Sequence, residues 1–349
     1  MAIGIGIGLP FRRNIATTPA VPSGLSASFT VDTISGDLTW TDNSGGTAQY
    51  EVYSSYNGNP YVYLGTTLAG ATSYSDTTCK QNASVVYRIR AKKGGTYSEY
   101  ATTSVINTPL CWKTDQATRT NVVINSITIA DGKTVNVDWG DGTNANYTGA
   151  NTNVTHTYAA SATNIFNVKL SGDTNSITIF QHYNQIKSYG VVTNWVLPST
   201  LKSFYIHVTG LTGVVTNWVL PSTLKSFYIS ATGLTGSLPQ ITEHATNTIN
   251  YRASSAYMSD SNVTVFRKAM TNFDVSSQNV TFSTANIDKL LKAAADWYQV
   301  NAPTANCTYN LSGANMGIPT DGVSNVDIVR LIGYYSAAGF AATVLVRTN

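Results

Sequence analysis

Residues 191–236 hold two copies of one 23-residue word, VVTNWVLPSTLKSFYIHVTGLTG and VVTNWVLPSTLKSFYISATGLTG, which differ only at His207/Ser230 and Val208/Ala231. A unit of this size cannot bury an apolar side by itself, so the period implies stacked units, each covered by the next. Within a copy, Leu201, Phe204, Ile206, Thr209 and Leu211, and then Leu224, Phe227, Ile229, Thr232 and Leu234, are spaced for a short strand with alternate residues turned inward, followed by a turn.

The same spacing extends outward. Ile177 and Ile179 fit the strand positions upstream, and Ile249/Tyr251, Val280/Phe282, Tyr309/Leu311 and Val344/Val346 fit them downstream. The later intervals are longer, as expected where helices replace extended return segments. Helices are predicted over Asn262 to Phe273, over Asn286 to Gln299 and over Asn325 to Ala338. The second carries Ile287, Leu290, Leu291, Ala294, Trp297 and Tyr298 at helical spacing; the third puts Val326, Val329, Leu331, Ile332 and Tyr335 mainly on one side, with Gly339 as its stop. Strand, crossover and parallel strand is the expected connection. The words LPSTLKSFYISATGLTGSLP resemble the leucine-rich repeat, with Thr where that family has Asn or Cys. The resemblance implies an α/β solenoid of parallel strands over 173–349.

Only 11% of the residues are Asp, Glu, Lys or Arg, against about 25% in an ordinary soluble chain. Ser, Thr, Asn, Gly and Tyr take their place, which suits short strands and turns. A net charge of +3 without a Lys/Arg run leaves no electrostatic footprint for nucleic acid. Cys79, Cys111 and Cys307 lack metal-ligand spacing and read as buried, inert thiols. No apolar run reaches the length of a membrane span.

The opening MAIGIGIGLPFRR has its arginines after the apolar run and does not read as a signal peptide. Its alternation is strict: Ile3, Ile5, Ile7 and Leu9 face one way and Gly4, Gly6 and Gly8 the other. Such a strand can lie tight against another sheet, as an edge strand of its own first domain or, the reading preferred here, by strand addition to a partner. The stretch from Asn14 to Pro19 then serves as a tether, giving a docking strand and tether over 1–18.

From 19 to 108 the pattern is all-β, with DLTWTD, YEVYSSYNG and VVYRIRAKKGGTYSEY as short alternating runs between turn clusters. Pro22, Leu25, Trp40, Tyr50, Val52, Tyr87, Ile89 and Ala91 stand where a fibronectin type III domain, which this segment resembles, keeps its core; Val85 takes the place of that family's corner tyrosine. From 109 to 172 a second β module contains VNVDWGDGTNANY and VTHTY. Asp138, Trp139, Gly140, Asp141 and Gly142, with His156, Thr157 and Tyr158, resemble the polycystic kidney disease (PKD) type of immunoglobulin-like sandwich. Asp138 and Asp141 are two carboxylates beside a tight turn, which they fix by bonding the backbone; no metal is expected there. The fold class expected is therefore two all-β immunoglobulin-like sandwiches followed by the repeat solenoid.

Catalytic signatures are missing: HExxH, GxSxG, a P-loop and CxxC do not occur, and GIGIG does not lead into a helix. His207 gives way to Ser230 in the adjacent copy. No cofactor is implied. If the stack binds a ligand, its open face should do so. The outward strand positions are Lys202, Ser203, Tyr205 and His207, then Lys225, Ser226, Tyr228 and Ser230, then Asn250 and Arg252, with Thr281 and Asn310 beyond. Tyr205 and Tyr228 are expected one above the other, a ladder suited to a polysaccharide through ring contacts and hydrogen bonds. The same side chains would equally serve only to stabilise the sheet.

A docking strand, a tether, two sandwiches and a repeat domain, in that order, resemble the fibre and decoration proteins of tailed-bacteriophage virions, among them the crAss-like phages. That resemblance implies a non-enzymatic virion-surface protein whose N-terminus meets capsid or tail proteins and whose repeat domain meets a host-surface polysaccharide or protein. Self-association stays open. The alternatives are a bacterial cell-surface adhesin and a carbohydrate-active enzyme with accessory domains, the latter needing two carboxylates brought together by the fold.

Overall fold

The computed structural model describes residues 17–115, 122–159, 165–185, 187–207, 209–230, 233–237, 239–241, 249–253, 257–259, 270–275, 280–281, 283–312 and 324–346. The docking strand expected over Ile3, Gly4, Ile5, Gly6, Ile7, Gly8 and Leu9 lies outside the described residues. The chain divides into two units, residues 1–79 with 84–106, and residues 80–83 with 107–349. Most of the described elements are strands, and two helices are present among them.

The first unit is an antiparallel β sandwich. Ser23–Thr30, Ser35–Thr41 and Ser73–Asp76 form one sheet; Val62–Thr66, Gln49–Tyr56, Ser84–Lys93 and Thr96–Tyr97 form the other. Alternation sorts the faces: Tyr50 and Val52 on one strand and Val85, Tyr87, Ile89 and Ala91 on its partner point in, against Leu38 and Trp40. Val85 has no hydroxyl to fix a corner. Instead Tyr56 and Tyr87 both donate to one oxygen of the buried Asp76, at 2.9 and 3.0 Å.

In the second unit two nine-stranded sheets run from antiparallel pairing at one end to parallel pairing at the other. Leu110–Asp115 pairs antiparallel with Ile165–Gly172 on one side and with Ser188–Val191 on the other. Val122–Ile129 likewise lies between Ala150–His156 and Ile177–Tyr183. The segments expected as separate domains, 109–172 and 173–349, thus share both sheets and one core, from Leu110 through Tyr335.

Beyond that junction five successive rungs supply one strand to each sheet, and the last two, with Cys307–Leu311 and Ala342–Val346, supply one to a single sheet among the described residues. In one sheet Ile177–Tyr183, Ser203–His207, Ser226–Ser230, Ile249–Ala253, Met270–Asp274, Cys307–Leu311 and Ala342–Val346 follow in parallel. In the other run Ser188–Val191, Gly210–Val214, Gly233–Ser237, Tyr257–Ser259 and Val280–Thr281. The expected turn after each repeat strand is therefore a second strand: Leu211 and Leu234 point inward from it and are fully buried.

Aromatic rings fill the space between the sheets. Phe180, Phe204, Phe227, Tyr251, Phe273 and Tyr309 occupy one register position, with centroid separations of 6.0, 5.9, 5.1, 5.3 and 6.4 Å. Trp195 and Trp218, one per copy, lie parallel 6.3 Å apart. Repeat threonines clip each copy to the rungs on either side of it. Thr223 donates to the carbonyls of Ser199 and Leu201, as Thr200 does to those of Asn175 and Ile177. Thr193 accepts the Val214 N–H and Thr216 that of Ser237, both at 2.9 Å. Gly213 is required here: its φ is +128°, and a Cβ would lie 2.7 Å from the Thr193 hydroxyl.

Helix α1, Thr284–Val300, buries Ile287, Leu290, Leu291, Ala294 and Tyr298 as its spacing predicts. Helix α2, Ser324–Ala337, differs from expectation. Leu331 and Tyr335 are buried with Asp327, whereas Val326, Val329 and Ile332 are exposed. Arg330 neutralises Asp327 at 2.7 Å, which lets a carboxylate stand on the packed side. Three further expectations are corrected. The helix over Asn262 to Phe273 is not formed at its end, because Met270–Asp274 pairs with Ile249–Ala253 as a strand. Val280 belongs to the second sheet, and Phe282 lies outside the described residues. Phe180, not Ile179, is the inward partner of Phe204.

Candidate functional site

In-register parallel pairing carries the outward residues of one rung directly over those of the next. One row reads Gln181, Tyr205, Tyr228, Arg252, Asp274 and Asn310; a second reads Tyr183, His207 and Ser230; a third contains Ser203, Ser226, Asn250, Asn272 and Thr308. Of the outward positions expected, Ser203, Tyr205, His207, Ser226, Tyr228, Asn250, Arg252 and Asn310 fall in these rows, Ser230 holds the matching backbone position, and Lys202 and Lys225 each stand one residue before their strand. Thr281 is not among them, since its strand lies in the other sheet; Asn272 and Asp274 take that place.

Their rings do not form the flat ladder expected. Tyr205 and Tyr228 meet edge to face, 6.0 Å apart at 83°. The Tyr205 hydroxyl shares a 2.6 Å hydrogen bond with Ser226, which turns that ring along the next strand. The parallel pair is instead His207 with Tyr183, 4.8 Å apart at 4°, and Tyr228 leans on the other side of His207, also at 4.8 Å. Arg252 lies 4.8 Å over Tyr228 and reaches Asp274 at 3.4 Å. The Asn272 amide donates to Asn250 at 3.1 Å.

The result is a patch of aromatic edges, hydroxyls and amides with one guanidinium that keeps its charge partly neutralised. Partial burial, and then the nearby Arg252, hold the His207 imidazole below its usual range. Tyr183 and Asp274 were missed in the sequence. Tyr183 sits in a degenerate rung without the repeat word, and Asp274 directly follows the segment, Asn262 to Phe273, read as helix.

A second cluster surrounds the WGDG turn. Asp138 accepts the Gly140 N–H at 2.8 Å and pairs with Lys169 at 2.6 Å. Asp141 accepts from the Thr143 N–H and hydroxyl and meets His156 Nε2 at 2.7 Å. His156 stacks on Trp139 at 4.9 Å, and the Tyr158 hydroxyl donates to the Trp139 carbonyl at 2.9 Å. Asp138 and Asp141 each accept a backbone N–H of the turn, as the sequence led us to expect, and His156 pairs with Asp141. Among the described residues no group of three or more His, Cys, Asp or Glu is placed to hold a metal ion. The three cysteines are free and buried, and burial pushes the Cys111 and Cys307 thiols up to about 12. Among the described residues no helix is long and apolar enough to cross a membrane.

No family model and no curated protein matches the chain. Among solved structures, a Fn3-like protein from Clostridium thermocellum is similar at 28% identity over 27% of this chain and 97% of its own, with a TM-score of 0.23. A titin fragment matches at 22% identity over 26% of this chain and 32% of its own, also with a TM-score of 0.23. A pectate lyase from Erwinia chrysanthemi in complex with tetragalacturonic acid matches at 10% identity over 87% of each chain, with a TM-score of 0.21.

Proposed function

We propose that this chain is a non-enzymatic attachment protein that recognises a surface glycan through the outward face bearing Tyr205, His207 and Tyr228. The observation that carries the reading is the register: aromatic, hydroxyl and amide side chains from consecutive rungs converge on one face of one sheet. Glycans are recognised by aromatic contact combined with several neutral hydrogen bonds, and this face offers both. The low charge of the chain fits the same use. The setting proposed is the surface of a tailed-phage virion, with the Ile3–Leu9 segment meeting capsid or tail proteins; the order of segments supports it. In this reading the sandwich bearing WGDG and HTY is PKD-like and the first unit fibronectin type III-like. Kinship of the rungs with leucine-rich repeats rests on the Leu-x-x-Phe-x-Ile word, and the second strand in each rung departs from it.

The test is binding of the full chain to an array of bacterial surface polysaccharides, repeated with Tyr228→Ala. Retained glycan with no release of fragments, and a loss of about tenfold in the variant, is the expected result. Equal binding by the variant, or depolymerisation of the bound glycan, overturns the reading. For the setting, mass spectrometry of purified particles should find the chain, and should lose it when residues 1–13 are deleted.

A further inference from the structure

The outward face of the larger sheet in the first unit carries a different arrangement. Along Ser84–Lys93 the outward positions are Arg88, Arg90 and Lys92, and across the sheet they are paired with Tyr53, Glu51 and Gln49. Three cations therefore face one carboxylate. Glu51 is claimed twice over: Arg90 reaches it at 2.8 Å and Lys92 at 3.1 Å. Arg88 meets no carboxylate among the described residues. Its guanidinium is held between tyrosines instead, 3.9 Å from the Tyr61 ring centroid and 4.1 Å from that of Tyr100, with Tyr53 at 5.2 Å. Its Nε is buried and makes no hydrogen bond.

This is an unusual state for an arginine. Rings on its faces fix the plane and disfavour other rotamers, while its charge is left without a counter-ion and its N–H edge without acceptors. A planar fork so fixed is matched by a carboxylate, which accepts two parallel N–H bonds. Tyr63 and Tyr97, 52% and 39% exposed, extend the aromatic surface around it. A string of phosphates would need a longer run of basic side chains than this face provides. One half-buried guanidinium without a carboxylate partner among the described residues, framed by neutral tyrosine rings, suits isolated carboxylates carried among hydroxyls and apolar ring faces.

We infer that Arg88, framed by Tyr61 and Tyr100, is the anion subsite of a second glycan-binding surface, one that takes a uronate-type polysaccharide. This surface belongs to the first unit, and the inference does not rest on the rung-face reading. Alginate is the probe, with its esterified form, in which the carboxylates are masked on the same backbone, as the comparison. Binding by the full chain is measured by calorimetry.

The expected result is that alginate binds, that raising ionic strength weakens it, and that the ester does not bind. Arg88→Gln should weaken alginate by about tenfold or more, as removal of a charge-assisted pair does. Arg88→Lys, which keeps the charge and loses the fork, should fall between them. Thermal melts of both variants establish that the fold is kept; should Arg88→Gln unfold, Arg88→Lys and protection of Ser84–Lys93 from hydrogen exchange by alginate decide. Tyr228→Ala should leave alginate affinity unchanged, so loss of the rung-face reading and loss of this one are told apart. Equal binding of the ester, equal binding by folded Arg88→Gln, no binding by the wild type, or tighter binding of polyglutamate or single-stranded DNA overturns the inference.

Discussion

The His207 imidazole lies parallel to the Tyr183 ring, 4.8 Å away, although the two residues come from different rungs and only one of them belongs to the repeated word. The pair is made by strand register, which sets Tyr183 directly beside His207. It also places a titratable ring at the centre of the candidate glycan face.

Partial burial, with Arg252 nearby, holds His207 below 6.5. The unfolded chain therefore takes up the proton more readily than the folded one. The stability that the neutral ring contributes is complete above pH 6.5 and is lost as pH falls through the folded-state value. Thermal melts of wild type and His207→Ser, taken across that interval, should diverge at the neutral end and converge at the acid end. The variant is conservative, because the adjacent copy already has Ser230 at this position. Parallel curves would show that the ring does not titrate as described.

Tyr251 is a polar interruption in an apolar column. It stands between Phe227 and Phe273, is almost fully buried, and its hydroxyl has no hydrogen-bond partner among the described residues. Removing an unsatisfied buried hydroxyl while keeping the ring should stabilise by about 1 kcal/mol. Tyr251→Phe is expected to raise the melting temperature of the second unit; an unchanged or lower value would mean that the hydroxyl finds a partner.

Gly213→Ala should destabilise by about 1 to 3 kcal/mol, since φ of +128° and the Thr193 hydroxyl at 2.7 Å both oppose a side chain. Gly333→Ala is the contrast. It lies in helix α2 with open space where a Cβ would go, so it should stabilise by up to about 1 kcal/mol. Denaturant unfolding of the two variants should move in opposite directions.

In the first unit, hydrogen bonds from the Ser44 side chain and the Tyr50 hydroxyl, with backbone N–H groups of Ser44 and Gly46, bring Asp42 down to about 2. A depressed carboxylate contributes above its ordinary value of 3.8 and loses that contribution as pH falls toward 2. Tyr50→Phe removes one donor, so its Asp42 should titrate at higher pH, and the loss of stability below 3.8 should be smaller and end sooner. Carboxyl chemical shifts across this range measure both.

The repeat word made the parallel rungs legible, and with them Phe204, Phe227, Ile206 and Ile229 as core. It concealed the second strand. In Gly210–Val214 the single inward apolar residue is Leu211 beside glycines, and a lone leucine among glycines reads as a turn. Helix α1 was legible because its apolar stripe is continuous. The packed side of α2 was not, because Asp327, neutralised by Arg330, breaks the stripe while exposed Val326 and Val329 imitate one. At the candidate site, spacing placed Tyr205, Tyr228 and Arg252 on one face. Ring orientation was beyond it, since the hydroxyl of Tyr205 chooses Ser226, a partner on the next strand.

Copies 191–213 and 214–236 present matching edges above and below, each clipped to its neighbouring rungs by the same threonines. A further copy inserted between them would meet surfaces already shaped for it. Each added copy would lengthen the stack of rungs by about 4.8 Å, the spacing of neighbouring strands.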